Sequence, residues 1–171
     1  DTTKLFNARD AVKYLKGWVL LKQRKYEDAL SVFESLNKKQ TAPNISGSLS
    51  YLTLRCKSGK NIQYRSPFVA GLLSTLVPGL GRGYCGYWGD GFFSFLVVGI
   101  TSGLAAYLWD DDKIFSGVMM GFSGFFYVGN IYGSVKGANI YNEEKYDIFW
   151  ETTWKDVPHP PTMLYSEMPC D

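Results

Sequence analysis

The chain is short of the side chains that most catalysis needs. Its single histidine, His159, sits in a Pro-rich segment, Pro158-His159-Pro160-Pro161, so no set of nucleophile, base and orienting group can be assembled around it. An enzyme is not expected, nor is a small-molecule substrate or a cofactor. The three cysteines, Cys56, Cys85 and Cys170, have neither a metal-binding spacing nor the even number of a disulfide framework, and at most one pair can form. His159, Met163, Met168 and Cys170 are soft-metal ligand types, but a Pro-rich tail fixes no coordination geometry, so no metal site is expected. Nucleic acid is not expected as a partner, because no reading motif accompanies the basic residues.

The most telling absence is of charge. Residues 91–109 and 114–134 contain no Asp, Glu, Lys, Arg or His, and only Asp110, Asp111, Asp112 and Lys113 separate the two runs. A helix needs ~20 apolar residues to cross the hydrocarbon core, and a charged break of this kind cannot remain in lipid. The pattern predicts a transmembrane helical hairpin. A composition that is 46% hydrophobic is ordinary for a soluble protein. Two adjacent charge-free helices buried on all sides would, however, demand a larger core than a chain of this length supplies. Tyr84, Tyr87 and Trp88 ahead of the first run, and Tyr107 and Trp109 at its end, fit the headgroup level where amphipathic rings collect. Without His, Glu, Lys or Arg in either run, haem or pigment ligation and a proton relay through the bilayer are unsupported.

Charge is concentrated outside these runs. Residues 1–65 carry 13 Lys or Arg against 5 Asp or Glu, a net +8, while residues 66–171 carry 5 against 11, a net −6. A basic region just ahead of a membrane segment can rest on anionic headgroups or dock on an acidic partner, and it is equally compatible with a solvated Lys-rich surface. The basic region and the acidic break between the runs favour a cytoplasmic head. Two crossings return the chain, so head and tail are expected on the same side; the chain opens on Asp1 and not on Met, as a processed or a trimmed product would, and removal of a signal peptide would make that side periplasmic or lumenal.

Residues 8–37 read as two amphipathic helices with a turn near Gln23, Arg24 and Lys25. Ala11, Tyr14, Leu15 and Val19 form one apolar stripe, and Tyr26, Ala29, Leu30 and Phe33 the other. Gly17, Leu20, Tyr26, Ala29 and Phe33 have the spacing of a tetratricopeptide repeat, and the pair resembles one such unit over about a fifth of the chain. Arg24 stands where the repeat has its turn glycine, and the closing proline is displaced to Pro43. The resemblance implies a protein-binding head. Since one repeat cannot bury its apolar face alone, residues 48–56 are expected to supply a third helix. Residues 38–47 read as a loop that holds the sequon Asn44-Ile45-Ser46, and Ser58 to Asn61 read as a second break.

Residues 67–80 are apolar but too short to span and are broken by Pro78-Gly79, so they should lie in the interface or re-enter from one side. Ala70, Leu73, Pro78, Gly79, Gly81, Arg82, Tyr84, Gly86 and Gly91, followed by Phe126, Tyr127, Gly129, Asn130, Tyr132 and Gly133, resemble the TM2-like family of small membrane proteins. That resemblance implies a membrane-embedded hairpin without catalytic chemistry. The turn Pro78, Gly79, Gly81, Arg82, Gly83 and Tyr84 is the candidate headgroup contact, with Arg82 reaching phosphates or pairing with Asp90. Gly81 to Gly86 also spells GxGxxG, but the strand and acidic residue that a dinucleotide site requires are missing.

Gly99 and Gly103, Gly117 and Gly121, and Gly129, Gly133 and Gly137 recur at intervals of four, the spacing that lets helices approach at backbone distance. They are the candidate helix-packing interface, either within the hairpin or against another subunit. Asn130 can bond across a helix interface or reach the headgroups. In the tail, Tyr146, Phe149, Trp150 and Thr153 share one helical face. With Trp154, Tyr26 and Phe33 these aromatics are candidate partner contacts, unless the tail folds back onto the head.

The expected fold is therefore all-α. It comprises a tetratricopeptide-like head over residues 1–60, a membrane module over 61–137 with spans near 91–109 and 114–134, and an aromatic, acidic tail over 138–171. The expected role is a non-catalytic accessory or assembly subunit of a membrane complex, with membrane lipids and other subunits as partners. A lipid-handling or membrane-insertion helper is the alternative.

Overall fold

A computed structural model describes residues 8–38 and 43–158. Among the described residues the chain is helical, without strands. The helices are α1 (Ala8–Lys22), α2 (Tyr26–Lys38), α3 (Pro43–Lys60), α4 (Pro67–Leu76), α5 (Leu80–Tyr84), α6 (Trp88–Tyr107) and α7 (Lys113–Asp156). They form two compact units, one of residues up to Ile62 together with those from Tyr146 on, the other Gln63–Lys145. The ligand types His159, Met163, Met168 and Cys170 lie outside the described residues.

In the first unit α1 ends where the turn was expected, and the reason is visible at Arg24. The Lys25 N–H donates to the Leu20 carbonyl and the Arg24 N–H to the Leu21 carbonyl, both at 3.0 Å, which closes the helix with a left-handed residue. Arg24 takes that conformation, with φ at 62° in a position glycine usually fills. Its guanidinium lies 4.1 Å from the Tyr146 ring centroid, a cation–π contact that offsets part of the backbone cost. Gly17 and Gly59 are where rings approach backbone. A Cβ on Gly17 would sit 2.5 Å from Phe33 Cε1, and one on Gly59 2.5 Å from Tyr26 Cε1.

Two expected loops are shorter than their composition implied. Residues 43–47 belong to α3, because proline at the first helical position needs no N–H partner and Ile45 completes a buried stripe with Leu49, Leu52 and Cys56. Asn44 of the sequon therefore lies in a first helical turn. At the other end Ser58, Gly59 and Lys60 are helical, and the break comes at Asn61.

Tyr146 and Phe149 of α7, and Val157 just beyond it, are buried in the same core as Tyr14, Trp18 and Phe33. The Tyr146 hydroxyl donates to the Lys22 carbonyl at 2.6 Å, and Arg55 Nε donates to the Thr153 hydroxyl at 2.8 Å. The candidate partner contacts are corrected accordingly. Phe33, Tyr146 and Phe149 are core, Tyr26 packs edge-on to Phe149 with centroids 5.8 Å apart, and only Trp154 is appreciably exposed. An aromatic face flanked by polar residues lowers its free energy by burying itself on the nearest apolar stripe.

In the second unit Ser66 caps α4, its hydroxyl accepting the Val69 N–H, with Pro67 at the first position. The helix stops at Val77, and Gly79, with φ at 88°, opens the short α5. Beyond it α6 runs 20 residues, and the Asp112 carboxylate caps α7 by accepting the Ile114 and Phe115 N–H groups at 3.1 and 3.0 Å. The α7 helix continues through residues 137 and 138 without a break and reaches Asp156, 44 residues in all. At 1.5 Å per residue it is about 66 Å long, roughly twice the hydrocarbon thickness.

Candidate functional site

Helices α6 and α7 are both long and apolar enough to cross a membrane, and only 17% of the residues in the apolar window of each are buried. Phe92, Phe93, Ile100, Ile114, Phe125 and Val128 all face outward. Exposed apolar side chains of this kind are what a membrane or a protein partner covers.

The seam between the two helices does not follow the glycines. On α6 the buried positions are Gly91, Val98 and Ala105, and on α7 they include Ser116, Ser123 and Asn130, each set spaced by seven. Seven residues are two helical turns with only ~20° of drift, so each set holds one face. Across the seam Ser102 and Ser123 share a hydrogen bond of 2.5 Å, and the Ser116 hydroxyl donates to the Ala105 carbonyl. By contrast, a Cβ added at Gly99, Gly103, Gly117, Gly121 or Gly129 would meet nothing within 4 Å. Packing within the hairpin is thus not their role. Gly133 and Gly137 differ, for Gly133 lies beneath the Arg82 guanidinium and Gly137 beside the Tyr87 ring. The serines that form the seam carry a sequence signal, the seven-residue spacing, which the more familiar spacing of four obscures.

A second polar cluster ties α4, α5 and α7 together. The Gly81 N–H donates to the Ser74 hydroxyl at 3.0 Å, Ser74 donates to the Ser134 hydroxyl at 2.6 Å, and Ser134 donates to the Asn130 carbonyl at 2.9 Å. Ser74 and Ser134 are fully buried, and in an apolar setting such a closed relay leaves no hydroxyl unmatched. Gly81 must be glycine here, because a Cβ would run into the Ala70 carbonyl. Pro78, Gly79, Gly83 and Tyr84 serve the same corner. Pro78 and Gly79 break the chain between α4 and α5, and a Cβ on Gly83 would sit 2.8 Å from the Trp88 ring. The Tyr84 hydroxyl accepts the Ser66 N–H at 3.3 Å. The GxGxxG letters fall on α5 and its end, with a helix before them and no strand.

Arg82 projects from α5 toward Asp90, Nη1 to Oδ2 3.5 Å, at one side of a cleft of about 340 Å³ whose lining includes Asn130, Phe93, Phe125 and Phe126. Asn130 is 3% exposed and neither amide atom has a hydrogen-bond partner, and Arg82 Nε is likewise buried and unmatched. Each such orphaned group costs about 1–3 kcal/mol.

In the first unit, electrostatics are modest. Glu27 accepts a 2.7 Å ion pair from Lys60, which holds its carboxyl below the usual range. Burial pushes the Cys56 thiol up to about 12. Among the described residues no group of three His, Cys, Asp or Glu side chains could hold a metal ion. No protein-family model, curated protein or solved structure matches the chain.

Proposed function

We propose that the chain is a non-catalytic accessory or assembly subunit of a membrane protein complex, with α6 and α7 crossing the bilayer as a hairpin like that of the TM2-like family. The observation that carries the reading is the open space at Gly99, Gly103, Gly117 and Gly121. These glycines lie on helices whose own seam is already closed by Ser102, Ser116 and Ser123. Glycine destabilises a helix by about 0.5–1 kcal/mol per residue relative to alanine, a cost offset when another helix packs at backbone distance. In this reading α4 lies in the interface or re-enters from it, and the tetratricopeptide-like α1 and α2, capped by α3 and the end of α7, form a protein-docking head. Because Phe33 and Phe149 are core, that head offers its outer faces, where Val12, Val19 and Leu54 are exposed.

The test is purification from membranes in mild detergent, with mass measurement of the intact particle. A discrete complex at integral stoichiometry supports the reading, and a lone chain refutes it. A lipid-handling role is the second reading, favoured by one observation: the cleft that joins a cation, Arg82, to a buried and unmatched amide, Asn130.

A further inference from the structure

The cleft beside Arg82 is lined by buried polar atoms that lack a hydrogen-bond partner. The Arg82 guanidinium brings an unmatched Nε–H, and its 3.5 Å approach to Asp90 is long for a charge-assisted bond. Asn130 adds two N–H donors and one acceptor, all unmatched although the residue is 3% exposed. If Asn130 Oδ1 turned to take the Arg82 Nε–H, its own amide hydrogens would still lack an acceptor. The Asp90 carboxylate, the one acidic group in the lining, faces Arg82 Nη1, and no neighbouring acceptor comes within hydrogen-bond distance of Arg82 Nε or the Asn130 amide. The Ser94 hydroxyl donates to the Asp90 carbonyl at 2.9 Å, and the Ser134 hydroxyl donates to the Asn130 carbonyl at 2.9 Å. Native folds rarely leave buried polar atoms in this state, and an acceptor-rich molecule from outside the chain would satisfy them.

The remaining lining says what kind. Phe93, Val97, Phe125 and Phe126 make the rest of the cleft apolar. Arg82 lies on α5, just ahead of α6, Asp90 in the first turn of α6 and Asn130 toward the end of the charge-free run of α7, so an antiparallel hairpin brings all three to the same interface level. There the acceptor-rich amphiphile is a glycerophospholipid, whose phosphodiester and ester carbonyls accept and whose chains are apolar.

We propose that the cleft bounded by Arg82, Asp90 and Asn130 is a phospholipid site. Arg82 holds the phosphodiester, the Asn130 amide donates to an ester carbonyl, and an acyl chain runs between Phe93 and the Phe125–Phe126 pair. At about 340 Å³ the cleft takes the linkage region and the first part of one chain, leaving the rest in the bilayer. The proposal rests on the membrane-spanning reading of α6 and α7.

The experiment uses the full chain in mild detergent and measures lipid phosphorus retained per protein after repeated detergent exchange. It compares the natural sequence with Arg82→Gln and Asn130→Leu, with helicity and elution volume as controls for folding. Expected is about one phospholipid per chain, with retention at least tenfold weaker in each variant, as loss of a charge-assisted or buried hydrogen bond implies. Asn130→Leu guards against misfolding, because a leucine of similar volume removes the unmatched amide. If the amide were merely an unsatisfied core group, that variant would be as stable or more stable and would keep its lipid, which overturns the proposal. Protection by inorganic phosphate alone, equal to that by phosphatidylglycerol or phosphatidylethanolamine vesicles, overturns it in favour of a free anion. A polypeptide copurifying only when Arg82 and Asn130 are intact overturns it in favour of a partner helix. Release of the chain from membranes by alkaline carbonate would defeat the spanning reading itself, whereas a chain that resists carbonate but retains lipid equally in all variants defeats the cleft alone.

Discussion

The assignment of Phe149 to the core of the first unit makes a demanding prediction. Phe149 is 6% exposed, has Tyr26 edge-on at 5.8 Å and lies under the Arg55 guanidinium at 4.5 Å. Opposite it is Gly59, whose missing side chain leaves nothing to relax into a vacated space, since an added Cβ would already be 3.1 Å from Phe149 Cζ. Phe149→Ala is therefore expected at the upper part of the 3–5 kcal/mol range for a phenylalanine truncated in a core that cannot collapse, about 4 kcal/mol. Against a typical domain stability of about 5–15 kcal/mol this removes a large fraction. The control is its neighbour Ile148, which is 62% exposed, and Ile148→Ala should change stability by less than about 0.5 kcal/mol. Urea unfolding of the full chain in mild detergent, followed by tryptophan emission from Trp18, Trp150 and Trp154, reads both. Equal shifts for the two variants, or a cost below about 1 kcal/mol for Phe149→Ala, would refute the packing of the α7 end onto α1–α3.

Ser74→Ala removes the acceptor of the Gly81 N–H and the donor to Ser134, so unfolding of the second unit in detergent should come about 1–3 kcal/mol sooner. A Cβ at Gly121 meets no atom of the described residues within 4 Å, so Gly121→Leu should leave the chain's own thermal stability nearly unchanged while splitting any complex that packs on that face, a difference that native mass measurement resolves. The Cys56 thiol, raised by burial from 9.0 to about 12, should resist iodoacetamide at pH 8 until the unit unfolds, as peptide mass mapping would show. The folded state holds that proton more tightly, so the group's contribution is intact below about 9 and is lost as pH rises toward about 12. Glu27, depressed by Lys60, acts with the opposite sign. Its small, salt-screened contribution is present above the unfolded carboxyl value and lost on acidification through the folded one, and Lys60→Met should erase that pH dependence in acid titrations of stability.

Several elements were legible because their causes are local. The break at Pro78-Gly79 and the end of α6 near Trp109 follow from residues that cannot continue a helix or remain in lipid, whereas the turn at Gln23 to Lys25 was legible only through the tetratricopeptide-like spacing around it. Polarity suggests loops at residues 43–47 and 58–60, but Pro43 starts a helix and Gly59 is small so that Tyr26 can lie against it. The cleft was half legible. Arg82 and Asp90 could be paired from the sequence, yet nothing in it says that Asn130 is buried beside them with its amide unmatched.

By itself the sequence determined the class of the chain, two charge-free helices with a short capped break and an amphipathic helical head, because transfer preference and helix termination are properties of each residue and its immediate neighbours. Only the tertiary structure decided which face of each helix meets which. Positions four apart and positions seven apart differ by about 60° around the axis, both are plausible seams, and the choice falls on whichever side the neighbouring helix lies. That choice put Ser102, Ser116 and Ser123 between α6 and α7, left Gly99 and Gly121 facing outward, and turned Phe149 into the core of the head.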